Sequence, residues 1–157
     1  MSTMKKTPIM LMLSLLSVAS LAQTNDASAI KTAISDETKA FFNRQIDKVA
    51  TYYVHDIYTS HQYNNPDGSV AVSNGWEAIH NGMKAYYKAN PKMGLVNVER
   101  TNWILNPLSP GWYWVRFNQT MTDSNHKVWK SNETRLMKRI NGQWKISSMI
   151  ALFDVKK

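Results

Sequence analysis

The sequence contains no cysteine. That absence excludes disulfide bonds, thiolate catalysis and cysteine-based zinc sites. It also excludes a lipoprotein anchor, which needs a cysteine after the signal. The four histidines, His55, His61, His80 and His126, lack metal-ligand spacing, so no metal is expected. A phosphate-binding loop, a serine-nucleophile elbow and a dinucleotide fingerprint are missing too, and no cofactor is expected. There is no Arg-rich run. Lys and Arg are spread along the chain and are densest at Lys138-Arg139 and Lys156-Lys157. The formal charge of +8 is therefore read as a solvated basic surface, with no nucleic-acid partner expected. Internal repeats and interdomain linkers are absent as well.

What is present fits one globular domain. The 157 residues are 43% hydrophobic and 19% charged. Seven Tyr, six Trp and four Phe can fill a core or line an apolar pocket. Met1 to Ala22 reads as a secretory signal peptide. Lys5 and Lys6 form its positive start, Ile9 to Leu21 its apolar stretch, and Ser20-Leu21-Ala22 its small-residue cleavage site. Cleavage is expected between Ala22 and Gln23, giving a periplasmic or secreted domain over 23–157 without a membrane anchor. Loss of Lys5 and Lys6 lowers the charge to +6.

The mature chain reads as three helices and a sheet. After a loose segment from Gln23 to Ala27, a helix is expected from near Ser28 to Asn43-Arg44, capped by Asp26 or Ser28. A short helix follows over Ile46 to Tyr53. Ile57 to Tyr63 alternates as a strand, and Asn64-Asn65-Pro66-Asp67-Gly68 turns it back onto Val70 to Val72. A third helix carries Trp76, Ile79, Met83, Tyr86 and Tyr87 on one face and stops at Asn90-Pro91. Four strands follow, near Leu95–Leu105, Trp112–Thr122, Val128–Ile140 and Gln143–Phe153. Asn141-Gly142 is the two-residue hairpin signal that sets the register of the last pair. The order predicts an α+β fold, with helices on one face of a curved, mainly antiparallel sheet.

Three stretches add a resemblance. They are Ala40-Phe41-Phe42-Asn43-Arg44 through Tyr52-Tyr53-Val54-His55-Asp56, then Asn74-Gly75-Trp76-Glu77-Ala78-Ile79, then Glu133-Thr134-Arg135-Leu136 with Arg139, Asn141-Gly142 and Trp144-Lys145-Ile146. Together they resemble the nuclear transport factor 2-like superfamily. Its members include SnoaL-like cyclases, ketosteroid isomerases and the association domain of calmodulin-dependent kinase. The resemblance implies a cone-shaped, cystatin-like fold with an internal cavity. It implies a small-molecule ligand, anionic or polar-aromatic, with cofactor-free lyase or isomerase chemistry. The alternative is a non-catalytic ligand-binding or oligomeric association module, because this fold hosts many functions.

Candidate site residues follow from both readings. By position in the isomerase-like pattern, His61 stands where a proton-shuttling carboxylate would be. It is the candidate general base, or a hydrogen-bonding pocket residue, or a half-exposed edge histidine. Glu37 falls where the isomerase has its oxyanion-hole tyrosine, and no acid stands near Arg135 or Leu136, which disfavours steroid-isomerase chemistry. Glu37 then pairs with a cavity arginine or lies on an exposed helix surface. Tyr53 closes the second helix as a pocket residue. Asp56 is a carboxylate at the cavity mouth or a structural ligand of nearby N–H groups. On one strand, Trp112, Trp114, Arg116 and Asn118 share a face opposite Tyr113, Val115, Phe117 and Gln119. Trp114 and Arg116 are counted as pocket residues, while the mostly apolar opposite set suits packing against helices. On the next strand Trp129, Glu133 and Arg135 share a face, read as a polar cavity wall or, equally, as a wet outer face or a dimer surface. By resemblance Arg135 points into the cavity and binds a carboxylate bidentately; alternatively it pairs with Glu133 or Glu37. The aromatic sheet predicts a homodimer.

Overall fold

The computed structural model describes residues 9–65, 67–91 and 95–154, with side chains from Asn25 onward except those of residues 95 and 96. Lys5 and Lys6 of the expected signal lie outside the described residues. A long helix, α1 (Ile9–Phe42), opens the chain. It runs through the segment expected to be loose, because Asp26 has another task than capping. Its carboxylate accepts from Trp144 Nε1 (3.2 Å) and Arg139 Nη1 (3.3 Å). Ile30, Ile34, Glu37, Thr38 and Ala40 form the buried stripe of α1. The helix ends in a paired closure. Arg44 takes φ 57°, its N–H reaches Phe41 O, and Gln45 N–H reaches Ala40 O, which satisfies the last carbonyls. Among the described residues no helix is long and apolar enough to cross a membrane.

The short helix α2 (Ile46–Thr51) buries Val49 and leads to a turn. The strand expected from Ile57 starts later, as β1 (Ser60–Asn64). Asp56 explains the delay. Its Oδ1 accepts from Tyr58 N (2.9 Å), Thr59 N (2.8 Å) and Thr59 Oγ1 (3.1 Å), which holds residues 56–59 as a turn. Ile57 and Tyr58 are consequently exposed. β2 (Val70–Asn74) pairs back on β1 as expected, and α3 (Trp76–Ala89) follows. The rest is β3 (Leu95–Ser109), β4 (Trp112–Asp123), β5 (Val128–Ile140) and β6 (Gln143–Phe153). β3 runs through Pro107 to Ser109, past the end expected near Leu105. It lies at the sheet edge, where a proline costs no ladder bond.

The six strands form one curved sheet in the order β2-β1-β6-β5-β4-β3. All neighbours are antiparallel except β1 and β6. Register shifts at Thr101/Ile104, where Asn102 takes φ 54°, and at Leu136/Met137 bend the sheet. The inner face packs Tyr113, Val115, Phe117, Met137 and Ile146 against Ile30 and Ile34 of α1 and Ile79 and Met83 of α3. This burial of large apolar surface is the main stabilising term.

Candidate functional site

Pairing across the sheet places one residue per strand in each row of the inner face. One row runs His61 (β1), Met149 (β6), Arg135 (β5), Val115 (β4). The next runs Tyr63, Ala151, Glu133, Phe117. A third holds Ser131 and Gln119, with Arg100 beside them on β3. Polar side chains thus stand among apolar ones on a face that α1 covers.

Glu133 is the hub. It accepts from Arg135 Nη1 at 2.7 Å, Ser131 Oγ at 2.6 Å and Gln119 Nε2 at 3.3 Å. Arg135 is 3% exposed and Glu133 2%, so this pair exists without water. Nη1 of Arg135 also donates to Thr134 O at 3.1 Å. The opposite edge of the guanidinium is different. Nε is buried without a partner, and Nη2 makes no hydrogen bond among the described residues. Gln119 Oε1 and Arg100 Nε are buried without partners as well. The guanidiniums of both Arg135 and Arg100 approach the Phe117 ring, at 5.6 and 5.4 Å from its centre.

The roof comes from the helices. Tyr53 Oη donates to Glu37 Oε1 (3.1 Å), and Arg100 Nη2 donates to Thr38 Oγ1 (2.7 Å), whose own proton goes to Ile34 O (3.0 Å). Burial raises the Glu37 pKa, and the charge of Arg135 only partly opposes this. Burial, then the Glu37 carboxyl, push Tyr53 well above the ordinary phenol range. Burial and the neighbouring Arg135 lower Arg100 to about 10. Burial, then Arg135, lower His61 to about 4. His61 makes no hydrogen bond among the described residues; its ring lies 5.5 Å from that of Tyr63.

The structure therefore gathers His61, Arg135, Glu133, Glu37 and Tyr53 on or above one face. Three other expected pocket residues are elsewhere. Trp114 and Arg116 sit on the outer face, where the guanidinium lies over the indole at 5.4 Å. Their strand turns its apolar set, Tyr113, Val115 and Phe117, to α1, and period-two alternation sends its neighbours outward. Asp56 fits the structural alternative, with its Oδ1 accepting the N–H groups of the turn described above. Glu37 is buried rather than exposed, and the close ion pair of Arg135 is with Glu133, not Glu37. Arg100 was missed by sequence reasoning. Its position in the alternation Val96, Val98, Arg100 was the available signal.

An open hollow of about 240 Å³ lies where β3, β4 and β5 meet the end of β6. Thr101, Asn118, Lys130, Asn132 and Asp154 line it, and it shares Gln119 and Ser131 with the interior cluster.

No family model and no curated protein matches the sequence. Solved structures do. A nuclear transport factor 2-like protein of unknown function from Pseudomonas putida KT2440 aligns with a TM-score of 0.65 at 17% identity, covering 85% of this chain and 98% of that one. A similar protein of unknown function from Shewanella oneidensis MR-1 gives 0.64 at 17%, covering 81% and 98%. A ketosteroid isomerase-like protein from Erwinia carotovora atroseptica gives 0.56 at 17%, covering 82% and 96%. With three helices on a curved six-stranded sheet and these neighbours, the chain has the nuclear transport factor 2-like, cystatin-like fold.

Proposed function

We propose that this domain binds a small carboxylate between α1 and the concave sheet, on the Nε/Nη2 edge of Arg135. The observation that carries this reading is the half-used guanidinium. Glu133 takes one nitrogen, while Nε is buried with nothing to donate to. A buried donor left unpaired costs about 1–3 kcal/mol, and a planar two-donor edge matches a carboxylate. Charge agrees with this. Arg100 and Arg135 face Glu133 and Glu37, and burial favours the uncharged form of Glu37, so an added anion is compensated.

Catalysis is the second reading, and one observation favours it. His61 shares a row with Arg135 and has no hydrogen-bond partner among the described residues. An imidazole near pKa 4 is neutral at pH 7 but a weak base, and general bases work best near the operating pH. Binding is therefore the reading preferred for the free site.

The same proposal includes export after cleavage before Gln23 and a homodimer through the outer sheet face, where Val72, Ile104 and Leu152 are exposed. The central test is calorimetric titration with benzoate and with a neutral analogue, benzamide. Benzoate is expected to bind and benzamide not. Arg135→Lys keeps the charge but loses the two-donor edge, and it should weaken benzoate at least tenfold. Equal binding of both probes, or of both proteins, would remove the proposal.

A further inference from the structure

We infer that anion binding at Arg135 is coupled to protonation of His61, so that the site takes up its ligand together with a proton. This deepens the carboxylate reading and rests on it. The geometry comes first. His61 and Arg135 stand in one row, two strands apart, with only Met149 between them. Neighbouring strands are about 4.8 Å apart, so their Cα atoms are separated by about 10 Å, the span of one ring with its carboxylate. Nε of Arg135 is buried without a partner, and His61 makes no hydrogen bond among the described residues.

The surroundings leave the imidazole dependent on Arg135. From β5 come Arg135 and Glu133, whose charges are already partly opposed by each other. α1 contributes Glu37, which is held by Tyr53. On β1 the neighbour is Tyr63. The β2 partner is Ser73 and the β6 partner Met149, neither of them titratable. Arg100 of β3 lies beyond Phe117. On α3, His80 is influenced by Lys84, Asp47 and His55. In the free site the guanidinium opposes a second positive charge on His61. A carboxylate on the guanidinium brings one negative charge into the same space and reverses that sign. The imidazole then takes one proton from solvent and offers two N–H donors instead of one. Ligand and proton together add no net charge to the interior.

The ligand class follows. It is an aromatic or cyclic carboxylate that reaches from Arg135 across Met149 to His61, with an acceptor at the far end or along the ring.

The test is benzoate titration calorimetry on the purified full chain from pH 5 to pH 8, in paired buffers of different ionisation enthalpy. Benzoate stays predominantly ionised over this range. The expected result is affinity rising as pH falls, by up to tenfold per unit, with uptake approaching one proton per benzoate. His61→Gln should lose the pH dependence of benzoate binding between pH 5 and pH 8. A nuclear magnetic resonance titration of the His61 ring reads the same coupling without a substitution. Its midpoint should rise in saturating benzoate. Benzoate binding that is sensitive to Arg135→Lys but has an unmoved His61 midpoint, or an unchanged pH profile in His61→Gln, overturns this inference and leaves the carboxylate site standing. No benzoate binding at any of these pH values overturns both.

Discussion

Arg135 and Glu133 show what a buried charge needs. Each is almost fully enclosed, and each is supported by neutral donors or acceptors besides its partner. Removing one charge leaves the other without water. Glu133→Gln should therefore destabilise the domain by about 3–5 kcal/mol, read as a lower urea midpoint. Half-exposed Asp36, paired with exposed Lys39 on one turn of helix, provides the control. Asp36→Asn should cost less than about 1 kcal/mol. His61 gives a pH prediction. Its folded pKa, about 4, lies below the unfolded value of 6.5, so the unfolded chain takes up the proton first. Stability contributed by neutral His61 is present above pH 6.5 and is lost as pH falls towards 4, by up to about 3 kcal/mol. Denaturant melts of wild type and His61→Gln over that range check it; the slope should be shallower in the variant. Glu37 has the opposite sense. With its pKa raised, it is destabilising above the ordinary carboxylate range, and Glu37→Gln should melt higher than wild type at neutral pH.

At the level of elements, the β5–β6 hairpin and the turn after α2 show two ways in which a short sequence sets a boundary. Asn141 and Gly142 take φ 50° and 80°, the two left-handed positions of a two-residue hairpin turn. A Cβ at Gly142 would meet nothing within 4 Å, so Gly142→Ala is strained in its backbone alone. Its expected cost is about 1 kcal/mol, measured by thermal unfolding, with the far-ultraviolet spectrum unchanged. Both β5 and β6 were legible to the residue, because alternation and the turn dipeptide agree. The first strand was less legible. Ile57 and Tyr58 alternate like strand residues, yet Asp56 captures the following N–H groups and a turn forms instead. Local side-chain hydrogen bonding outweighs a four-residue pattern there. The start of α1 was missed for a related reason. Asp26 resembles a cap in sequence, but its partners, Trp144 and Arg139, are more than a hundred residues away.

For the whole molecule, the two faces of the sheet divide the work. The concave face holds the core and the charged cluster under α1. The outer face carries Trp112 and Trp114 under Lys138 and Arg116, together with exposed aliphatic residues. Sedimentation of the 23–157 domain, which we propose to be a homodimer, should give twice the mass of that chain. Replacing exposed Ile104 and Leu152 by Asp should halve that mass without lowering benzoate affinity. Unchanged mass would remove the outer face from the assembly.

The sequence by itself determined the fold class, nearly every strand of the closing meander and the placing of Glu133 and Arg135 on one strand face. Periodicity and turn chemistry are local, and a period of two assigns residues to faces without any tertiary information. It could not say which face is inside. That depended on where α1 packs, and the outcome buried Tyr113, Val115 and Phe117 while placing Trp114 and Arg116 outside. Likewise, only the tertiary structure brought Glu37 and Tyr53 over the sheet, added Arg100, and left one edge of Arg135 without a partner. Those relations join residues far apart in the chain, and curvature with helix packing, rather than local sequence, sets their distances.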